Sequence, residues 1–405
     1  MVKYNPEDHK KSIDLKYGTI NEEGLSRLRA RIGRVEPIEE PFIRYVNADS
    51  IWHVARAIGD MNPLFIDRAH AEMSRYGRLT APPALLYGVT WGSWDMRRGE
   101  GLPGVHGLHA RDRWIYYRPV VDGDVVRATK ELVAVDDRTG RYAGRSLMQT
   151  REFKYYNQRE ELVARCLMSA VRAERSAGKK KGKYADIKPA VYTDEEIDKI
   201  DEDIANENVR GATPRFWEDV RIGKSVTPLV RGPLTVGDMI AWMMGIGSPH
   251  IRSGQHWLAY RRQSPKVAVK DPVTRIPQPV ERVHWDPYMA AEIGMPAPYD
   301  YGSQRGAWAT HFVTNWAGDD GWVAEVDVQY RGMNFLGDTV WIRGTVLDKW
   351  RCTKSRIGYV KLSIEAANQR GDIIMPGMAI VALPSRDAPL PDFPLDHEAA
   401  SRLEA

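Results

Sequence analysis

The feature that most constrains this chain is that it repeats itself. NADSIWHVARAIGD at residues 47–60 and TVGDMIAWMMGIGS at 235–248 are each an amphipathic helical pattern ending in Ile-Gly, so Ile58-Gly59-Asp60 stands opposite Ile246-Gly247-Ser248. Further on, and in the same order, FIDRAHAEMSRYGRLTAPPALLYG faces HWDPYMAAEIGMPAPYDYGSQRG, and YYRPVVDGDVVRATKEL faces QYRGMNFLGDTVWIRGTV. The last pair reads as a strand, a turn closed by Gly123-Asp124 or Gly337-Asp338, and a second strand. Alternating runs such as SLMQTREFKYYN and KLSIEAANQ supply more strands. A chain built this way folds as two copies of one unit, each a central helix followed by antiparallel strands. The copies differ in one respect: roughly thirty extra residues, Pro249 to Val280, separate Gly247 from His284 in the second.

Between the copies lies the one sustained polar stretch. Its lysine run ERSAGKKKGKY reads as a solvated linker, and YTDEEIDKIDEDI as an exposed helix capped by Thr193. The expected division is a first domain over 1–175, a linker over 176–212, a second domain over 213–390 and a tail over 391–405. Composition narrows the function. With 43% hydrophobic residues the chain can bury two cores, yet no apolar run is long enough to cross a bilayer. The charged start MVKYNPEDHKKSIDL lacks a signal-peptide core, so a cytoplasmic protein is expected. A net charge of +4 spread thinly over the chain argues against a nucleic-acid footprint. Cys166 and Cys352 fall in strand-like runs without CxxC spacing and read as reduced packing residues, and no His or Cys pair has metal-ligand spacing, so neither metal nor cofactor is expected. The 13 tryptophans fit either a packed core or the lining of an apolar ligand cavity.

Gly59-Asp60-Met61-Asn62-Pro63, then Leu102-Pro103-Gly104, then Arg118-Pro119-Val120-Val121-Asp122-Gly123-Asp124 together resemble the MaoC-like hot-dog dehydratases, the family of (R)-specific enoyl-CoA hydratases. The resemblance spans nearly the whole chain as two tandem copies. It implies an α+β double hot-dog, in which each half wraps an antiparallel sheet around a buried central helix. It further implies addition of water to an enoyl thioester or its elimination from a 3-hydroxyacyl thioester, acyl-CoA as the usual substrate, and a homodimer or hetero-oligomer.

In that family an Asp and a His in Gly-Asp-x-Asn-Pro-x-His hold the water, and a helix-start amide receives the thioester oxygen. An acid-base pair on one water is worth about 10² to 10⁴ per group, and an oxyanion donor about 10² to 10³. Neither copy here carries the whole set. The first keeps Asp60 and Asn62 but has Phe65 at the His position and Pro83, which lacks an N–H, at the helix start. The second has His284 and Gly302 but Ser248 in place of the acid. Asp60 and His284 are the expected catalytic pair. Three arrangements could complete a site: Glu281 or Asp271 returning from the insertion to replace the lost acid, Asp60 working with His106 or His109, or Asp60 meeting His284 across the halves. His284 could instead bond Asp286 within the core, and Asp60 could simply cap its turn. A non-catalytic thioester-binding subunit and a thioesterase are the alternatives to a hydratase.

Overall fold

The structure is a computed structural model and describes residues 18–92, 102, 105–140, 144–174, 184 and 186–395. The amino-terminal segment, Pro103, Gly104, the lysine run of the linker and the last ten residues lie outside the described residues. The first half supplies β1 (Val35–Pro37), β2 (His106–Tyr116), β3 (Arg127–Gly140), β4 (Gly144–Tyr156) and β5 (Leu162–Ala173). The second supplies β6 (Ser225–Arg231), a small hairpin β7 (Ala268–Lys270) and β8 (Pro277–Pro279), then β9 (Trp322–Gln329), β10 (Val340–Arg351), β11 (Gly358–Asn368) and β12 (Ile373–Leu383).

All but the hairpin join one ten-stranded sheet in the order β1-β3-β4-β5-β2-β9-β12-β11-β10-β6. Taken from either edge inward, this is the same order twice: β1, β3, β4, β5, β2 on one side and β6, β10, β11, β12, β9 on the other. Every pairing is antiparallel, and β2 and β9 meet at the centre with Trp114 opposite Val326. Ion pairs Arg111–Asp327 and Arg113–Glu325 cross that seam. The edge strands β1 and β6 precede the helices and were not expected from sequence. Three residues are too few to show alternation, and Pro228 interrupts the other run, a residue tolerated at a sheet edge where no partner needs its N–H.

The helices carry the same symmetry. Helix α1 (Ala48–Ile58) is closed at its start by an Asn47–Ser50 capping box and ends at Gly59, φ 69°. A later helix, labelled α3 (Val236–Ile246), is closed by a Thr235–Asp238 capping box and ends at Gly247, φ 82°. Between them in sequence lies α2 (Leu85–Thr90), and α4 (Gly302–Ala317) follows. Turns repeat too: Asp124 accepts the Val121 amide as Asp338 accepts that of Phe335. In the linker, Thr193 and Glu196 form a capping box on the largely exposed helix Asp194–Ala205.

One apolar core runs through both halves, with Leu85, Trp114 and Phe153 from the first and Trp308, Phe312 and Val326 from the second. Helix α4 is buried almost all round, as a helix enclosed by a sheet must be. Helices α1 and α3 cross at Gly245, where an added Cβ would lie 2.6 Å from Ala57 Cβ and 2.9 Å from the His53 carbonyl oxygen. Gly245→Ala is therefore expected to destabilise the fold by about 1–3 kcal/mol, read as a lower denaturation midpoint, because two rigid helices must part. Cys166 and Cys352 are both buried free thiols. No helix among the described residues is long and apolar enough to cross a membrane.

Candidate active site

The duplicated loops after α1 and α3 gather two clusters, one in each half. In the first, Asp60 Oδ1 accepts the Asn62 N–H at 3.0 Å, and Asn62 Oδ1 in turn accepts that of Leu64. The turn is thus built by its own side chains. Asp60 is 2% exposed and its Oδ2 has no hydrogen-bond partner among the described residues. Its neighbour is a residue the sequence did not single out: His311 on α4 brings Nε2 to 3.3 Å from Asp60 Oδ1, without hydrogen-bond alignment. Arg231 donates to His311 Nδ1 at 2.9 Å, so the ring proton sits on Nε2, facing the acid. The same guanidinium binds Glu207 and the carbonyls of Ile58 and Gly59.

Burial pushes the Asp60 carboxyl up from its ordinary 3.8 to about 7, against the pull of the Asn62 amide and Arg231. Burial, reinforced by the Arg231 cation, holds His311 well below the ordinary imidazole range. The folded state then holds a proton on Asp60 that the unfolded chain has lost. This contribution to stability is fully present below pH 3.8 and disappears as pH rises through about 7. The neutral isostere in Asp60→Asn escapes the loss. Its stability relative to the parent is expected to rise between pH 5 and 8, by about 2–3 kcal/mol at most, measured as urea midpoints across that range.

The second cluster forms where the first copy's acid is missing. Ser248 Oγ accepts the amides of His250 and Ile251, the counterpart of the Asp60 turn, and donates its own hydrogen to Glu281. The insertion makes this geometry. It contains the helix Gly254–Gln263 and the β7–β8 hairpin, and Asp271 at its base accepts the amides of Val273 and Thr274 and pairs with Arg282 at 3.3 Å. The turn that leads out of it, Val280–His284, aims Glu281 at Ser248, and Tyr301 OH donates to the other Glu281 oxygen at 2.9 Å. Burial, with Glu281 facing it, lifts the Tyr301 phenol well above its ordinary range.

His284 stacks on Tyr301 with ring centroids 3.8 Å apart, and its Nδ1–H donates to the Tyr299 carbonyl at 2.7 Å. Asp286 is engaged elsewhere, accepting from Arg282 and from the amides of Tyr288 and Met289. Asp67 caps the corresponding helix in the first half through Ala69 and His70, which fixes Phe65 as the counterpart of His284. Gly302 opens α4, a 16-residue helix whose N-cap Tyr301 offers no side-chain acceptor, so its leading amides point toward this cluster's end of the helix.

The geometry therefore sorts the sequence candidates. Glu281, Ser248, Tyr301 and His284 come together ahead of Gly302. Asp60 and His284 fall in separate clusters: Asp60 meets His311 instead. His109 bonds Asp112 at 2.6 Å rather than Asp60, and Asp271 serves the base of the insertion. His106 opens β2, and its side chain lies outside the described residues. His311 lay hidden because it occupies the middle of the apolar GSQRGAWATHFVTNWA helix. An imidazole on a helix predicted to be buried on every side was the one signal that could have found it. A small, partly open cavity lies beside the first cluster, lined by Asn62, Phe65, Pro83, Leu86, Thr314 and Trp322.

Residues 34–166 match the family described as the FAS1-like, dehydratase domain region. A UPF0336 protein of Parafrankia sp. is 31% identical over 143 residues, 35% of this chain and 90% of the relative. One from Streptomyces avermitilis is 28% identical over 112 residues, 27% of this chain and 73% of the relative. A solved MaoC-like dehydratase superposes with a TM-score of 0.61 at 19% identity, covering 88% of this chain and 99% of its own. A Mycobacterium tuberculosis protein described as having a double hot-dog fold gives 0.51 at 12% identity, covering 87% and 96%. The chain belongs to the UPF0336 family and has the double hot-dog fold of the MaoC-like dehydratases.

Proposed function

We propose that the chain adds water to 2-enoyl thioesters, or eliminates it from 3-hydroxyacyl thioesters, at the second-half cluster, with acyl-CoA as the substrate. The observation that carries this reading is the return of Glu281 from the insertion onto Ser248 and Tyr301. It puts a carboxylate beside the position that lacks its acid, with His284 on the same tyrosine. Glu281 and His284 hold the water between them, and its oxygen attacks C3 as its proton passes to this pair. Charge that develops on the thioester oxygen is met by the Gly302 amide at the start of α4. Protonation of C2 completes the addition.

A second reading draws on Asp60 Oδ2 and His311 Nε2, both buried and without hydrogen-bond partners among the described residues, two residues before Asn62 and one turn before Thr314 of the cavity wall. It would place water activation in the first half. Pro83 speaks against a thioester oxygen there, since it has no N–H to offer. The test is incubation of the purified chain with 2-enoyl-CoA, following hydration and CoA release in parallel. Hydration that survives in Asp60→Asn supports the second-half reading, and hydration lost in that variant with its fold intact moves the site to Asp60. CoA release without hydration makes the chain a thioesterase, and binding without either makes it a thioester-binding subunit.

A further inference from the structure

The second-half cluster is bounded on one side by a residue of the first half that the proposed reaction has not used. His109 lies on β2, with its side chain 8% exposed, against the opening residue of α4. A Cβ added to Gly302 would lie 2.8 Å from His109 Cβ and 3.0 Å from Nδ1, so only glycine lets this ring reach the helix start. Two aromatic neighbours hold the ring in place. Trp91 stacks on it at 5.9 Å with planes 7° apart, and Tyr330 packs at 4.7 Å.

His109 Nε2 binds Asp112 Oδ1 at 2.6 Å. Tyr87 and Tyr330 donate their hydroxyls to the other Asp112 oxygen at 2.5 and 2.8 Å, so a fully buried carboxylate has both oxygens engaged. A Cβ on Gly306, one turn along α4, would collide with both of those hydroxyls at 2.4 and 2.5 Å. Gly302 and Gly306 thus keep one face of α4 bare for this assembly. With an Nε2–H directed at Asp112, a ring in that tautomer presents its lone pair on Nδ1, which is buried and has no hydrogen-bond partner among the described residues.

We infer that His109 is a catalytic residue contributed by the first half to the second-half site, its Nδ1 carrying the proton exchanged at C2 of the thioester, with Asp112 as its positioning residue. The inference rests on the proposed hydration in one respect, that the thioester oxygen sits at the Gly302 amide. C2 is then one bond from the carbonyl carbon, beside the residue that faces Gly302. In elimination, Nδ1 takes the C2 proton, the C2–H pair delocalises onto the thioester oxygen and then forms the C2=C3 bond. Hydroxide leaves C3 with a proton from the Glu281–His284 pair and departs as water. In hydration the steps reverse: the C3–O bond forms, the water proton goes to that pair, and imidazolium Nδ1–H protonates C2. Proton exchange with solvent resets both groups.

The test separates this step from water addition. Butanoyl-CoA has no C2=C3 bond and cannot add water, but a base at C2 exchanges its C2 hydrogens with D₂O, read by mass spectrometry. The parent is expected to catalyse this exchange, and His109→Gln to slow it about 10²-fold. In the same variant, kcat for hydration of 2-butenoyl-CoA should fall about 10²-fold with KM within about threefold, since nothing that only binds is removed. Asp112→Asn, which leaves the His109 ring in place but unsettles its tautomer, should slow exchange by about tenfold or more, so a misfolded His109 variant does not end the test. Exchange and hydration at parental rates in His109→Gln, or a parent that hydrates without exchanging C2, overturns the inference. A parent that exchanges C2 but hydrates no enoyl thioester leaves His109 standing and removes the proposed hydration.

Discussion

Replacing Glu281 or His284 by Gln is expected to lower kcat for hydration by about 10²- to 10⁴-fold in either case, with folding unchanged. Both substitutions nearly preserve shape, so the loss isolates proton chemistry from packing. Glu281→Gln keeps an oxygen for the Ser248 or Tyr301 hydroxyl but cannot take a proton from water. His284→Gln can keep a hydrogen bond to the Tyr299 carbonyl while losing the second ring nitrogen. The double variant should be little worse than the poorer single one, because two groups that act on one water fail as a unit. Steady-state hydration of 2-enoyl-CoA, with circular dichroism as the folding check, measures this. Two singles with parental kcat would remove the acid-base assignment.

Arg231→Met is expected to destabilise the chain by about 3–5 kcal/mol, more than any other single change considered, and to do so at the junction of the halves. The guanidinium is the only group that ties α1's carbonyl end, the Glu207 carboxylate and the His311 ring together among the described hydrogen bonds. Methionine matches much of its stem but leaves Glu207 without its cation, in a site where that carboxylate is 14% exposed. The loss should appear as a lower urea midpoint. Restoring neutrality with Glu207→Gln in the same chain should recover part of it, since the uncompensated charge dominates the cost.

The sequence made some of this architecture legible and hid the rest for physical reasons. The duplication could be read because turns and caps are local: Gly123-Asp124 and Gly337-Asp338, or Asp67 and Asp286, do the same work within a few residues of themselves. Glu281 could be named because the missing acid at Ser248 and the insertion posed the question together. The Asp60–His311 contact could not, because it forms only when α4 of one half closes on the α1 loop of the other. His109 was named as a candidate, but its pairing with Asp112 was hidden by a different effect. Residues three apart on a regular strand face opposite sides, and only the irregularity between His109 and Arg111 in the pairing of β2 with β5 returns both side chains to one side.

The most direct measurement is a crystal structure with butanoyl-CoA, an analogue of the enoyl substrate that cannot add water, bound to the chain. The thioester oxygen is expected within hydrogen-bond reach of the Gly302 amide, with C3 turned toward Glu281 and His284 and C2 toward His109 Nδ1. A thioester seated instead in the first-half cavity, against Asn62 and Pro83 with its oxygen away from α4's first residue, would contradict the account.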